Sequence, residues 1–326
     1  MVNIELNKSP RAIGYSDKIL LVGSCFTEHI GNTMQALKFS VLQNPHGILF
    51  DPASITASLK SYIERKQYRP EDLFFLNEAW HSWDHHSRFS HPDRETALVR
   101  INESQEQAHR FLREANWLMI TLGSAFSYRL RETGQRERPG VANCHRAPAQ
   151  WFDKTLLEIN EITYMLDYVC QQLREFNPGL GVIFTVSPVR HIRDGVIANN
   201  RSKARLLETV HYLVNKFENF HYFPAYELVI DVLRDYRFYD IDLVHPNYMA
   251  TEYVFEKFSE TCISAGAREL MSEMRSLITA RKHRPAQPDS RAHAQFLKLH
   301  FEKALDLARR FPFLDLSEEL KYFSQG

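Results

Sequence analysis

Lys18-Ile19-Leu20-Leu21-Val22-Gly23-Ser24-Cys25-Phe26-Thr27-Glu28 is the stretch whose reading decides the fold. Four apolar residues, Ile19 to Val22, run into Gly23 and Ser24. Beyond the turn, Phe26, Ile30, Met34 and Leu37 recur at the spacing of one helical face. The pattern predicts a buried strand, a tight turn carrying a hydroxyl, and a helix that starts on that hydroxyl. Backbone N–H groups at a helix start are unpaired and carry partial positive charge. An α/β fold places a nucleophile or binds an anion at such a turn. Ser is also a favoured helix N-cap, so this stretch alone leaves both roles open for Ser24.

Outward from there the strand–helix alternation continues. Phe39 to Gln43 predicts a second strand, broken by Asn44-Pro45-His46-Gly47. That break reads as a sharp turn, and Gly47 would let backbone approach a ligand closely. Pro52 to Arg65 predicts a helix capped by Asp51, and a further helix falls around Ser104 to Ala115. Trp117 to Leu122 predicts a third strand, and it too ends in a Gly-Ser turn, Gly123-Ser124-Ala125. In a parallel sheet both turns would lie at the carboxyl edge. Arg129 to Gly140 reads as exposed and turn-rich, and Asn143 lies on the loop after it. Thr155 to Glu175 predicts an amphipathic helix, Gly181 to Val186 a strand closed by Ser187-Pro188, and Ala198 to Phe217 a helix. Phe220 to Pro224 and Tyr226 to Arg234 predict a last strand and helix. The pattern predicts a three-layer α/β/α sandwich on a mainly parallel sheet.

Between the second and third strands, Asn77 to His91 has the composition of an irregular insertion, within a polar region of about 70–100. It holds Trp80, His81, Trp83, His85, His86 and His91. His81 and His85 have the i, i+4 spacing of helical metal ligands, but no Glu follows His81 as H-E-x-x-H requires. A loop whose aromatic residues shape a substrate surface is the expected reading, without a metal.

A second telling segment comes late: Tyr239-Asp240-Ile241-Asp242-Leu243-Val244-His245-Pro246-Asn247. Pro246 blocks a continuing helix and lets another start near Asn247. Asp242 and His245 therefore fall on a loop, where the acid can hold one imidazole nitrogen while the other faces a hydroxyl. A plain surface loop fits the same residues.

Composition narrows the classes. Of 326 residues, 40 are basic and 40 acidic, so net charge offers no attraction to nucleic acid or an anionic membrane. No segment approaches the ~20 apolar residues of a membrane span, and the N-terminus lacks signal-peptide character. Four scattered cysteines (Cys25, Cys144, Cys170, Cys262) with no C-x-x-C pair argue against a disulfide framework or a zinc site and suit the cytoplasm. The main domain is expected over 1–265. A helical extension is expected over 266–326, with helices at Arg268–Arg281 and Ala292–Arg310 split by a Pro-rich linker. The last helix has one apolar face, which would dock on the main domain or on a second copy of the chain.

Together, Gly23-Ser24-Cys25-Phe26 followed late by Asp242-x-x-His245-Pro246 resembles the SGNH hydrolases and, more narrowly, the GSCFA domain family, with Thr27 where that name has Ala. Asn44-Pro45-His46-Gly47, Thr121 to Ala125, Asn143-Cys144-His145, Val186 to Pro188 and Ser202-Lys203 are similar to that family as well. The resemblance covers about 15–260. It implies a flavodoxin-like sheet and ester hydrolysis without metal or organic cofactor. By that resemblance Ser24 is the nucleophile, His245 its base and Asp242 the residue that orients His245. The oxyanion donors would come from Ser24 and Gly47, with a third from Ser124 or Asn143 because the third turn lacks the Asn usual in SGNH enzymes. His46, His145 and Arg190 are the candidate substrate-binding residues. Arg190, His191 and Arg193 also read as solvated charge, and Cys25 is a rival nucleophile beside Ser24. The expected substrate is a small acyl ester, such as an O-acetyl group on a sugar. Acyl transfer at the same site, or a non-catalytic carbohydrate-binding module, are the alternatives.

Overall fold

The computed structural model describes residues 4–131 and 140–324. Its centre is a sheet of five parallel strands: β1 (Lys18–Gly23), β2 (Ser40–Gln43), β5 (Trp117–Leu122), β8 (Gly181–Val186) and β9 (Phe220–Tyr222). The spatial order is β2-β1-β5-β8-β9, with β3, β4, β6 and β7 lying outside this sheet. Counting only the sheet's own strands, that is the 2-1-3-4-5 order of flavodoxin-like folds. The sheet is covered on both faces, which explains the continuous apolar runs. Ile19, Leu21, Trp117, Met119 and Ile183 face one core. Leu20, Val22, Leu118, Ile120, Val182 and Phe184 face the other.

The first core is closed by α1 (Cys25–Ala36), α7 (Tyr248–Cys262), α8 (Ala265–Lys282), α9 (Arg291–Arg310) and α10 (Ser317–Phe323). The second is closed by α2 (Pro52–Glu64), α3 (Arg94–Glu114), α4 (Ile159–Phe176) and α5 (Val196–Lys216). Register puts Gly23 beside Thr121, and Thr121 beside Thr185. The turns after β1, β5 and β8 therefore share one carboxyl edge. The strand order reverses between β1 and β5, where such sheets form their ligand crevice.

The C-terminal helices dock on the main domain: Met274, Leu277, Leu297, Ala304, Leu307 and Phe323 join the same core as Phe26 and Met34. Buried Glu319 of α10 pairs with Lys38 (3.2 Å), just after α1, and with Arg281 (3.0 Å) of α8. No described helix is long and apolar enough to cross a membrane.

Several elements depart from the sequence expectation. The segment read as irregular forms a hairpin, β3 (Leu73–Leu76) and β4 (Ala79–Ser82), through Asn77 and Glu78 at positive φ. Another hairpin joins β6 (Phe126–Leu130) to β7 (Phe152–Leu156), so α4 starts at Ile159 rather than Thr155. The apolar Leu156 fits the helical period as well as the strand, which hid the boundary. α3 starts at Arg94, capped by Asp93, because Ala97 and Ile101 pack on Tyr68, Leu73 and Phe89 in a satellite core. The expected helix from Tyr226 is a short α6 (Ala225–Glu227) continued by a π-helical turn, Leu228–Leu233. Of the stretch expected to be exposed at 129–140, Arg129 and Leu130 end β6, and 132–139 lie outside the described residues.

Candidate active site

The Ser24 turn is held from three sides. Gly23 has φ +149°, and a Cβ there would run into the Thr121 carbonyl oxygen, so the position needs glycine. Its N–H donates to Asn44 Oδ1 (2.9 Å), and its carbonyl accepts from Leu49 N–H (2.9 Å). Ser24 stands at the N-cap of α1, and its carbonyl accepts from Thr27 N–H (2.9 Å). Its side chain makes no cap bond. Ser24 is 1% exposed, and Oγ has no hydrogen-bond partner among the described residues. A serine cap is worth about 1 kcal/mol, and this hydroxyl forgoes it. Of the two roles open from sequence, the side-chain cap is absent.

The Asp242–His245 loop is organised by the aspartate. Oδ1 accepts from the N–H groups of Val244 (2.9 Å) and His245 (3.0 Å), while Oδ2 takes His245 Nδ1 at 2.6 Å. The His245 backbone N–H, then its ring, then Val244 N–H hold the Asp242 carboxyl down at about 2. A carboxylate only accepts, so Nδ1 carries the proton and Nε2 of the neutral ring keeps its lone pair. Asn247 starts α7 by capping Ala250 N–H (3.2 Å) and donates back to Arg237 O (2.7 Å). Both Asp242 and His245 side chains are 47% exposed. A protonated His245 ring would bear on His29 in α1 and on His191 after β8, so the loop lies near both. No hydrogen bond joins Ser24 Oγ to His245.

The backbone N–H groups expected as oxyanion donors are spent on local carbonyls. Ser24 N–H donates to Thr121 O (3.2 Å), Gly47 N–H to Asn44 O (2.7 Å) and Ser124 N–H to Phe50 O (3.0 Å). The strand-end turns satisfy their own backbone, as buried backbone must. Ser124 Oγ accepts from Phe126 N–H (3.1 Å) and meets Ser202 Oγ at 3.3 Å. Asn143 Oδ1 accepts from His145 N–H (2.8 Å).

His46 and His145, expected to bind substrate, are core residues instead. His46 Nε2 donates to Gln105 Oε1 (2.9 Å), and its ring packs against Tyr62 and His85. His145 Nε2 donates to Ser82 O (2.8 Å), and its ring lies on His81. Burial pushes both down to about 4, so both are neutral packing groups. Two histidines of the insertion, His81 and His85, thus face inward. His81 is held by Leu76 O and Ser90 Oγ, and His85 by Ser82 Oγ. Arg190 follows β8 with a buried Nε that has no partner. Cys25 is a thiol raised by burial, with no histidine bonded to it.

Two buried residues at this edge carry more than their sequence reading. Asn44, read only as a turn residue, clamps Gly23 from φ 46°. Lys203 of α5 is 1% exposed, and Nζ donates to Gly123 O and Ser187 O, both at 2.6 Å. Its signal in the sequence is a charge on the same helical face as Leu206, Val210 and Leu213.

A family model described as the GSCFA family matches residues 18–258. The chain belongs to the GSCFA family. The match runs from the first residue of β1 into α7, so it spans both Ser24 and the Asp242–His245 loop. A second model, described as the C-terminal domain of GSCFA domain proteins, matches residues 274–326 of this GSCFA protein, from within α8 to the end. No curated protein matches the chain.

Proposed function

We propose that this GSCFA protein is a serine esterase of the SGNH type, acting on a small acyl ester such as an O-acetyl group on a carbohydrate. The observation that carries the reading is the Ser24 hydroxyl: buried, without a partner, and standing at a helix N-terminus on the sheet's switch-point edge. An unpaired buried hydroxyl is costly. A fold that keeps one, together with a loop carrying a carboxylate-held imidazole, has the parts of an activated nucleophile.

In the proposed reaction His245 Nε2 takes the Ser24 proton as Oγ bonds to the ester carbonyl carbon. The tetrahedral intermediate collapses, the C–O bond to the alcohol breaks, and His245 returns the proton to the leaving oxygen. Water then attacks the acyl-enzyme by the same route and regenerates Ser24. Asp242 fixes the ring tautomer and stabilises the imidazolium. Nε2 must come within about 3 Å of Oγ for the transfer, so the half-exposed loop closes onto Ser24 when substrate binds. A fold with all four cysteines free suits the reducing cytoplasm as its setting.

Labelling with a fluorophosphonate and mapping the adduct by mass spectrometry tests the reading. Modification at Ser24, lost in S24A together with ester turnover, is the expected result. Turnover that survives in folded S24A overturns it.

A further inference from the structure

Lys203 is the least expected group at the carboxyl edge. It sits in the second turn of α5 with its ammonium inside the protein. Its hydrogen bonds go to Gly123 O and Ser187 O, the carbonyls just beyond β5 and β8. The preceding Ser202 Oγ accepts from Ala125 N–H (2.7 Å), so the Ser202-Lys203 pair holds the whole Gly123-Ser124-Ala125 turn. Both bonds are short, at 2.6 Å, and an ionised donor makes the stronger hydrogen bond to a carbonyl.

Among the described residues no carboxylate compensates this charge. Among the described residues Lys203 makes no ion pair. The groups whose charges bear on it are Cys25, the residue after Ser24, and Arg190 after β8. The Lys203 charge also bears on His191. Arg190 is itself a cation with a buried, unpartnered Nε. Two neighbouring cations, neither paired with a carboxylate among the described residues, leave a positively charged edge beside the Gly23-Ser24-Cys25 turn. Burial reflects the cost by pulling the ammonium down to about 7. An anion that forms nearby removes that cost, and acyl transfer at Ser24 forms one in every cycle. Such a cation also answers the shortage of donors, because the backbone N–H groups of Ser24, Gly47 and Ser124 are already engaged.

We infer that Lys203 is a positioning residue of the Ser24 site: its buried ammonium ties together the strand-end turns beside Ser24 and supplies the positive field that the oxyanion formed there needs. The catalytic half of this inference rests on the esterase reading, so the test reads the field separately. His191, held down at about 4 by burial and then by the Lys203 charge, is the reporter, because Lys203 is protonated where that ring titrates; its titration is followed by NMR of the imidazole.

In K203M the His191 midpoint is expected to rise by about one pH unit. The rate of Ser24 fluorophosphonate labelling, and kcat with little change in KM, are expected to fall about a hundredfold. K203R, still cationic, restores the His191 midpoint and part of the rate, which a purely structural role for the side-chain stem would not require. Folded K203M with wild-type His191 titration and wild-type labelling overturns the inference. Should K203M not fold, carbon-13 NMR of ε-labelled lysine in the wild-type protein decides. One resonance titrating near 7 supports the inference, and all lysines titrating at about 10.4 overturn it. If wild-type Ser24 never labels while His191 still responds to K203M, the esterase reading falls and the field of Lys203 stands.

Discussion

Two Gly-Ser turns stand on one sheet edge, and their hydroxyls have opposite fates. Gly23-Ser24 ends β1 and Gly123-Ser124 ends β5, the neighbouring strand. Ser124 Oγ is consumed by Phe126 N–H and Ser202. Ser24 Oγ has no partner. The difference lies in the element that each serine leads into. After Ser24 the chain enters α1 directly, so the hydroxyl faces a helix start and forgoes its cap bond. After Ser124 the chain continues as β6, and α5 reaches over to bond the turn. Chemistry at such an edge therefore depends on which hydroxyl the neighbouring elements leave alone.

The largest expected effect comes from exchanging the hydroxyls for hydrogen. S24A should lower ester turnover by about 10⁴-fold or more with no loss of thermal stability, since no bond is removed. S124A should keep turnover within about tenfold and cost about 1 kcal/mol, because it leaves Phe126 N–H without an acceptor. Steady-state kinetics and denaturant unfolding of the two variants measure the contrast, and equal kinetic losses would break it.

The glycines differ in the same direction. Gly23→Ala meets the Thr121 carbonyl at positive φ and should cost about 4 kcal/mol or prevent folding. Gly123→Ala brings a Cβ to 3.2 Å from Phe50 O, so a small shift absorbs it at about 1 kcal/mol. Urea midpoints of the two variants decide.

Acid should load both turns alike, and more gently. His46 lies two residues beyond Asn44, the clamp of the Ser24 turn, while His191 packs edge-on against Phe50, the clamp of the Ser124 turn. Burial holds both imidazoles down at about 4, below the ordinary 6.5. A depressed imidazole pKa means that the unfolded chain binds the proton first. The stability is therefore complete above 6.5 and is lost as pH falls from 6.5 towards 4. Amide exchange at Gly23 and Gly123 should speed up together across that window; acceleration at one turn alone would show that the clamps are unequal.

The sequence carried the sheet because its five strands are nearly continuous apolar runs closed by Gly, Pro or Asn. It carried Ser24, Asp242 and His245 as candidates because each lies where a strict local pattern breaks. The β3–β4 and β6–β7 hairpins were not legible: their residues alternate weakly, and their stability comes from satellite cores assembled from distant segments. His46 and His145 read as candidate substrate-binding groups because a histidine in a loop-like stretch carries no local mark of burial. Lys203 is the reverse case, a charged residue on an apolar helical face whose partners are carbonyls 16 and 80 positions away.

By itself the sequence determined the order of elements and the residue types at the sheet's carboxyl edge, because period and breakers act over a few residues. The tertiary structure decided which hydroxyl stays unpaired, which backbone N–H groups are already spent, and where an uncompensated ammonium ends up. Those outcomes depend on hydrogen-bond partners supplied across strands and helices, and no local pattern encodes which of them arrive.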